Sequence, residues 1–172
     1  HFYGKAWPTE MLKPGFAFYL SWHVGHEAGH FYQRGITEPE QTGMWIHEGG
    51  AEAFAALAVG AVDPTSAERV ASKVSSARTA CIEATRLQSL RASIDAGKHA
   101  LAYSCGLVLK LAIHEAVMKR NARSEGLYTV WRTMLADRSA TSGRFDRAVR
   151  AVAGACVADA LTDAVSEQAG VE

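Results

Sequence analysis

His26 and His30 stand four residues apart, with Glu27 beside the first, in the stretch Trp22-His23-Val24-Gly25-His26-Glu27-Ala28-Gly29-His30-Phe31. On an α-helix that spacing returns to the same face one turn along, so both imidazoles point the same way at a separation one metal ion can bridge. The carboxylate of Glu27 is then placed to take a proton from a water activated by the ion, which is the chemistry of metal-assisted hydrolysis. A Gly three residues after His30 and a His three beyond that would mark the Met-turn proteases; Gln33 and Ile36 occupy those places and exclude that class.

A third ligand is expected from Trp45-Ile46-His47-Glu48-Gly49-Gly50-Ala51-Glu52-Ala53-Phe54, which opens fifteen residues after His30. An apolar, helix-forming run follows, so Glu48 lies near the start of a helix able to pack against the first. Two His and one Glu with a fourth position left for water is a catalytic zinc arrangement, whereas structural zinc is closed by four protein ligands. Ligand type also accommodates cobalt or manganese, and one Zn²⁺ is the expectation from geometry and availability.

The pair of segments, His26-Glu27-x-x-His30 and Trp45-x-x-Glu48-Gly49-x-Ala51-Glu52, resembles the gluzincin metallopeptidases, most closely their peptidase-MA-like branch. The resemblance implies that His26, His30 and Glu48 hold zinc and that Glu27 is the general base. Tyr103-Ser104-Cys105-Gly106 is similar to the Tyr-x-x-Gly of related gluzincins, whose phenol donates to the oxyanion of the tetrahedral intermediate. A Tyr on an apolar helix can equally be a core residue with a satisfied hydroxyl. The tail, Leu127-Tyr128-x-Val130-Trp131-x-x-Met134-Leu135 and then Phe145-Asp146-x-Ala148-Val149 and Gly154, looks like the helical ending of such domains, and carries the likeness from about residue 16 to 165.

The likeness has gaps. Gluzincins place a sheet before the zinc helix, where an extended substrate adds as a strand. Here only about twenty residues precede it, so the chain reads as the helical half of a longer catalytic domain or as one whose sheet is reduced to a short β remnant. No Gly-x-Met-Glu-Asn segment is present, which leaves exopeptidase and endopeptidase both open.

Other residues near the motifs have two readings each. Glu52, at i+4 from Glu48, either accepts the ring N–H of a liganding His or is a solvated helix Glu. His23 either lines the cleft or packs as an ordinary His. His47 adjoins Glu48 and competes with it as a ligand; the Glu-Gly pair favours Glu48. His99 and His114 read as structural, and Trp45 as an anchor for the second helix. Cys81, Cys105 and Cys156 read first as buried free thiols. One bridge, with Cys81 to Cys105 the favoured pair, would instead point to an oxidising compartment, periplasmic or secreted.

Positioning these residues takes a mainly α fold. The 172 residues, 48% hydrophobic and 21% charged, form one domain, with zinc-site helices over 16–60 and a helical subdomain over 61–172. Eighteen basic against eighteen acidic residues and no basic stripe exclude nucleic acid as a natural partner. No uninterrupted apolar run approaches the roughly 18 to 20 residues of a membrane span. The chain starts with His, so it reads as processed or as part of a longer protein.

In order, residues 1–15 read as irregular with at most a short strand. A helix starts near Phe16 to Ser21 and ends around Gly35, Thr37 to Gly43 is a loop, and a second helix runs from Ile46 to Val59, stopping at Gly60. Asp63-Pro64-Thr65-Ser66 starts a third. Helical periodicity over 79–96, in one helix or two, is broken by Gly97. Further helices cover Ala100 to Lys119, Leu127 to Ala136, Phe145 to Val152 and Val157 to Glu167, with Asn121 to Gly126 a turn and Gly154 dividing the last pair.

Two functions fit. One is a zinc peptidase acting on a peptide or protein. The other is a zinc-stabilised helical binding module, catalytically silent, derived from a peptidase. A chance motif on a metal-free helical domain is the third reading.

Overall fold

The computed structural model describes residues 15–33, 43–122, 125–139 and 143–166. Among these there are eight α-helices, one short 3₁₀ turn and no strand. The helices are α1 (Phe16–Tyr32), α2 (Gly43–Val62), α3 (Ala67–Thr85), α4 (Leu90–Asp95), α5 (Ala100–Arg120), α6 (Leu127–Ala136), α7 (Arg144–Val152) and α8 (Ala155–Ser166). The expected remnant strand, the Gly35 helix end and the 37–42 loop lie outside the described residues.

α2 is the axis of the molecule. It buries Trp45, Ile46, Gly49, Gly50, Ala51, Ala53, Phe54, Ala55, Ala56 and Val59, so it is apolar nearly all round, as a helix enclosed by others must be. α1 packs on one side of it and α5 on another, while α3 lies across α5. α6, α7 and α8 close the far end, where Phe145 meets both Trp45 of α2 and Trp131 of α6.

Helix ends differ from expectation where Gly and Pro compete. α2 runs through Gly60 and ends at Val62, because a mid-helix Gly costs only about 1 kcal/mol, whereas the residue before a proline is driven out of the helical region. That residue, Asp63, is extended (φ −130°, ψ 86°), and its carboxylate accepts from the Thr65 N–H at 3.1 Å. The 79–96 periodicity resolves into two helices, because Ser89 caps α4 by accepting from the Ala92 N–H at 3.1 Å.

The cysteines overturn the free-thiol reading. Cys81 of α3 is disulfide-bonded to fully buried Cys105 of α5, and Cys156 is free but exposed. The bridge is the pair favoured as the alternative reading, and it forms because α3 packs on α5. Ala100–Arg120 is long and apolar enough to cross a membrane by length and composition, although its apolar residues are not contiguous. Here it is a core helix, burying Leu101, Ala102, Cys105, Leu107, Ile113 and Val117.

Candidate metal centre

The two helices that carry the expected ligands, α1 and α2, approach closely because their seam is built of small residues. Gly25 and Gly29 of α1 face Ala55 and Ala51 of α2. A Cβ on Gly29 would stand 2.8 Å from the Ala51 Cα, and one on Gly25 would stand 3.0 Å from the Ala55 Cα. The pairing of 25 with 55 and 29 with 51 makes the helices antiparallel, and it sets Glu48 beside the His26 and His30 turn.

The three expected ligand atoms converge. Nε2 of His26 and Nε2 of His30 are 3.0 Å apart, and Oε2 of Glu48 is 3.4 Å from each. Ligand atoms held tetrahedrally at about 2.0 to 2.1 Å from zinc stand about 3.3 to 3.4 Å apart, so the triangle fits such an ion with little movement. Among the described residues this is the one group of three such side chains whose ligand atoms gather within 4.8 Å. His26 is buried, while the side chains of His30 and Glu48 are about one quarter exposed, at 27% and 24%.

Glu52 stands behind the triangle. Its Oε1 lies 3.1 Å from Nδ1 of His26, an ion-pair distance off the line of a well-formed hydrogen bond. Its Oε2 accepts from the Trp22 indole at 2.9 Å and is 3.6 Å from Nζ of Lys73, which also sits 4.6 Å above the Trp22 ring. Glu52, on α2, is therefore held by side chains of two other helices, α1 and α3. A carboxylate held against the far nitrogen of a ligand His sets its tautomer and ring orientation.

Without an ion the cluster shares charge. Burial alone would lower the His26 pKa, but bonds to Glu48 and Glu52 outweigh it and raise the value to about 9. The bond from His26 holds the Glu48 carboxyl below its ordinary range. Burial would raise Glu52, yet His26, Lys73 and Trp22 together pull it down.

Tyr103 reaches the same place from α5. Its ring stacks on His26 at 5.9 Å and 14°, and its phenol lies close enough to Glu48 to feel that carboxylate. Burial and Glu48 raise its pKa, keeping the phenol a donor. Tyr103 is 40% exposed and the Glu27 side chain 53% exposed, so both are open to solvent beside His26. Glu27 is close enough to Tyr103 for its charge to be felt by the phenol.

The remaining candidates are placed apart. Nδ1 of His23 is 3.8 Å from Glu27 on the same exposed ridge. The His47 ring lies 5.7 Å from His30, outside the ligand triangle. Fully buried Gln33, in the amide orientation that satisfies both its ends, donates to the His47 carbonyl at 3.0 Å and accepts from the Ala51 N–H at 3.1 Å. His99 stands at the start of α5, and Nδ1 of His114 accepts from the Leu127 N–H at 3.2 Å. Trp22, Gln33 and Lys73 are the side chains sequence reasoning missed. Trp22 at i−4 from His26 carried a local signal. Lys73 carried none, because only the fold brings α3, which packs chiefly on α5, alongside Trp22.

The chain matches no protein-family model, no curated protein and no solved structure.

Proposed function

We propose that this protein is a zinc-dependent peptidase of the gluzincin type, and that the described helices are the helical half of its zincin-like domain. The observation that carries the reading is the triangle of His26, His30 and Glu48 at zinc-ligand separations, with Glu27 and Tyr103 open to solvent beside His26.

Zn²⁺ at that triangle would polarise the scissile carbonyl and lower the pKa of a water. His26, His30 and Glu48 hold the ion, and Glu52 keeps the His26 ring turned toward it. Glu27, half exposed and one residue from His26, takes the proton of the attacking water and passes it to the leaving amine. The Tyr103 phenol donates to the oxyanion that develops on the carbonyl. The Cys81–Cys105 bridge fits work in an oxidising compartment, outside the cytosol.

Two measurements test this. Plasma mass spectrometry on protein purified without a histidine tag should give about one zinc per chain, lost in His26→Ala and Glu48→Ala. The parent should cleave a peptide library, and Glu27→Gln should abolish cleavage while keeping the metal. Zinc bound but no cleavage by the parent would leave the silent, zinc-stabilised module as the reading. No zinc, even after its addition, would remove both.

A further inference from the structure

α1 and α3 run side by side in the same direction. The Arg69 guanidinium lies 6.0 Å from the Phe18 ring, and Lys73 lies 4.6 Å from the Trp22 ring. Both pairs step by four residues, so the next turn on α1 is that of His26 and Glu27. Between the two helices is an open groove of about 670 Å³. Its α1 wall is aromatic, Phe18 and Tyr19, with Tyr19 67% exposed. From Tyr19, which lines the groove, His23 and Glu27 follow at four-residue steps along α1, so the row that starts at the groove reaches the turn of His26.

The α3 wall consists of hydrogen-bond donors. Arg69, Ser72, Lys73 and Ser76 fall at i, i+3, i+4 and i+7, the spacing of one helix face, and all four line the groove. Glu68 contributes one acid beside two cations. Lys73 is already engaged by Glu52; the guanidinium of exposed Arg69 lies near Gly15 and close enough to Asp63 to act on its charge, and its planar fork matches a carboxylate in two parallel bonds.

We propose that this groove is a substrate subsite that selects a peptide carrying an acidic side chain, bound by Arg69, about three to four residues from the bond cut. The distance follows from the helix. Tyr19 and Glu27 are eight residues apart, about 12 Å at 1.5 Å per residue, and an extended peptide advances about 3.3 Å per residue. The position relative to the cut bond rests on the peptidase reading; the selection of acid by Arg69 does not.

The test therefore reads binding and cleavage separately. Fluorescein-labelled octapeptides differing only in Asp or Lys at the third and fourth positions on either side of the centre are titrated by anisotropy into zinc-loaded Glu27→Gln protein. The same titration uses Glu27→Gln combined with Arg69→Ala and with Arg69→Glu, each first shown to keep its melting temperature and zinc content. One Asp peptide should bind at least tenfold more tightly than its Lys partner. Arg69→Ala should bring that ratio near one, and Arg69→Glu should reverse it. Equal binding of Asp and Lys peptides, or a preference that survives Arg69→Ala, overturns the subsite. Cleavage of the same peptides by the parent is scored apart, so failure to cleave counts against the peptidase reading while an Arg69-dependent ratio still stands for the groove.

Discussion

Gly49 of α2 and Gly106 of α5 touch backbone to backbone: a Cβ built on Gly49 would lie 2.2 Å from the Gly106 Cα, and one on Gly106 would lie 2.5 Å from the Gly49 Cα. Each glycine belongs to a motif segment, one directly after Glu48 and the other three residues after Tyr103. The crossing sets the turn of Tyr103 beside His26 and Glu48. Either glycine changed to alanine has no flexible neighbour to displace, so the helices must part. Overpacking of this kind costs about 1 to 3 kcal/mol. Gly106→Ala should lower the melting temperature and also lose the Tyr103 contribution to hydrolysis, about 10²-fold in kcat. Tyr103→Phe should lose the rate without the stability, and a Gly106→Ala protein with unchanged kcat would refute the coupling.

Glu52 holds His26 through the nitrogen turned away from the triangle. Removing such a carboxylate typically costs about 10- to 100-fold in metal affinity. Glu52→Ala should weaken zinc binding by that factor in a competition titration against a chromophoric chelator, with the stoichiometry still one. Glu52→Gln, which keeps an acceptor for the Trp22 indole, should lose less. Unchanged affinity in both would make Glu52 a packing residue.

The bridge between Cys81 and Cys105 closes a loop spanning 24 residues in sequence. A cross-link of that span is worth about 2 to 4 kcal/mol, chiefly by restricting the unfolded chain. Cys81→Ser with Cys105→Ser should melt several degrees lower than the parent. Its zinc content should not change, because the α1–α2 seam is formed without α3. Loss of zinc with the bridge would show that α3 is needed to hold the centre.

His114 accepts from the Leu127 N–H, and burial lowers its pKa below the ordinary 6.5, with Glu115 opposing. A protonated ring cannot accept that bond. Since the unfolded chain binds the proton more readily, the stability His114 contributes is complete above pH 6.5 and is lost as pH falls through the lower folded value. The melting temperature should therefore drop more between pH 7.5 and pH 5 in the parent than in His114→Gln, whose amide oxygen accepts at every pH. Identical pH profiles would remove His114 as the cause.

The ligands of the candidate centre were legible because their spacing is local. His26, His30, Glu48 and Glu52 each sit one helical turn from a partner on their own helix, and periodicity alone puts them on a face. The glycines next to them were visible as letters but not as contacts, since a close approach exists only once two helices meet. Gln33 was read only as an exclusion; in the fold it ties the end of α1 to α2. The Lys73 side chain carries no signal in the sequence; in the fold it lies over the Trp22 ring. The helix end at Val62 was missed because a glycine was weighed above the proline four residues later.

Glycine and alanine have no side-chain torsions that position a contact, so where Gly25 and Gly29 meet Ala51 and Ala55 the approach of α1 to α2 is set by main-chain and Cβ atoms, the Cβ of Phe54 among them. Ordering such a seam freezes almost no rotamers, and no rotamer change can loosen it afterwards. The spacing of the His26, His30 and Glu48 donor atoms is in that sense a property of the backbone. Thermal motion that hops side chains elsewhere in the core leaves the helix spacing at this point unchanged, and the only freedom left to the ligands is the rotation of their own rings and carboxylate.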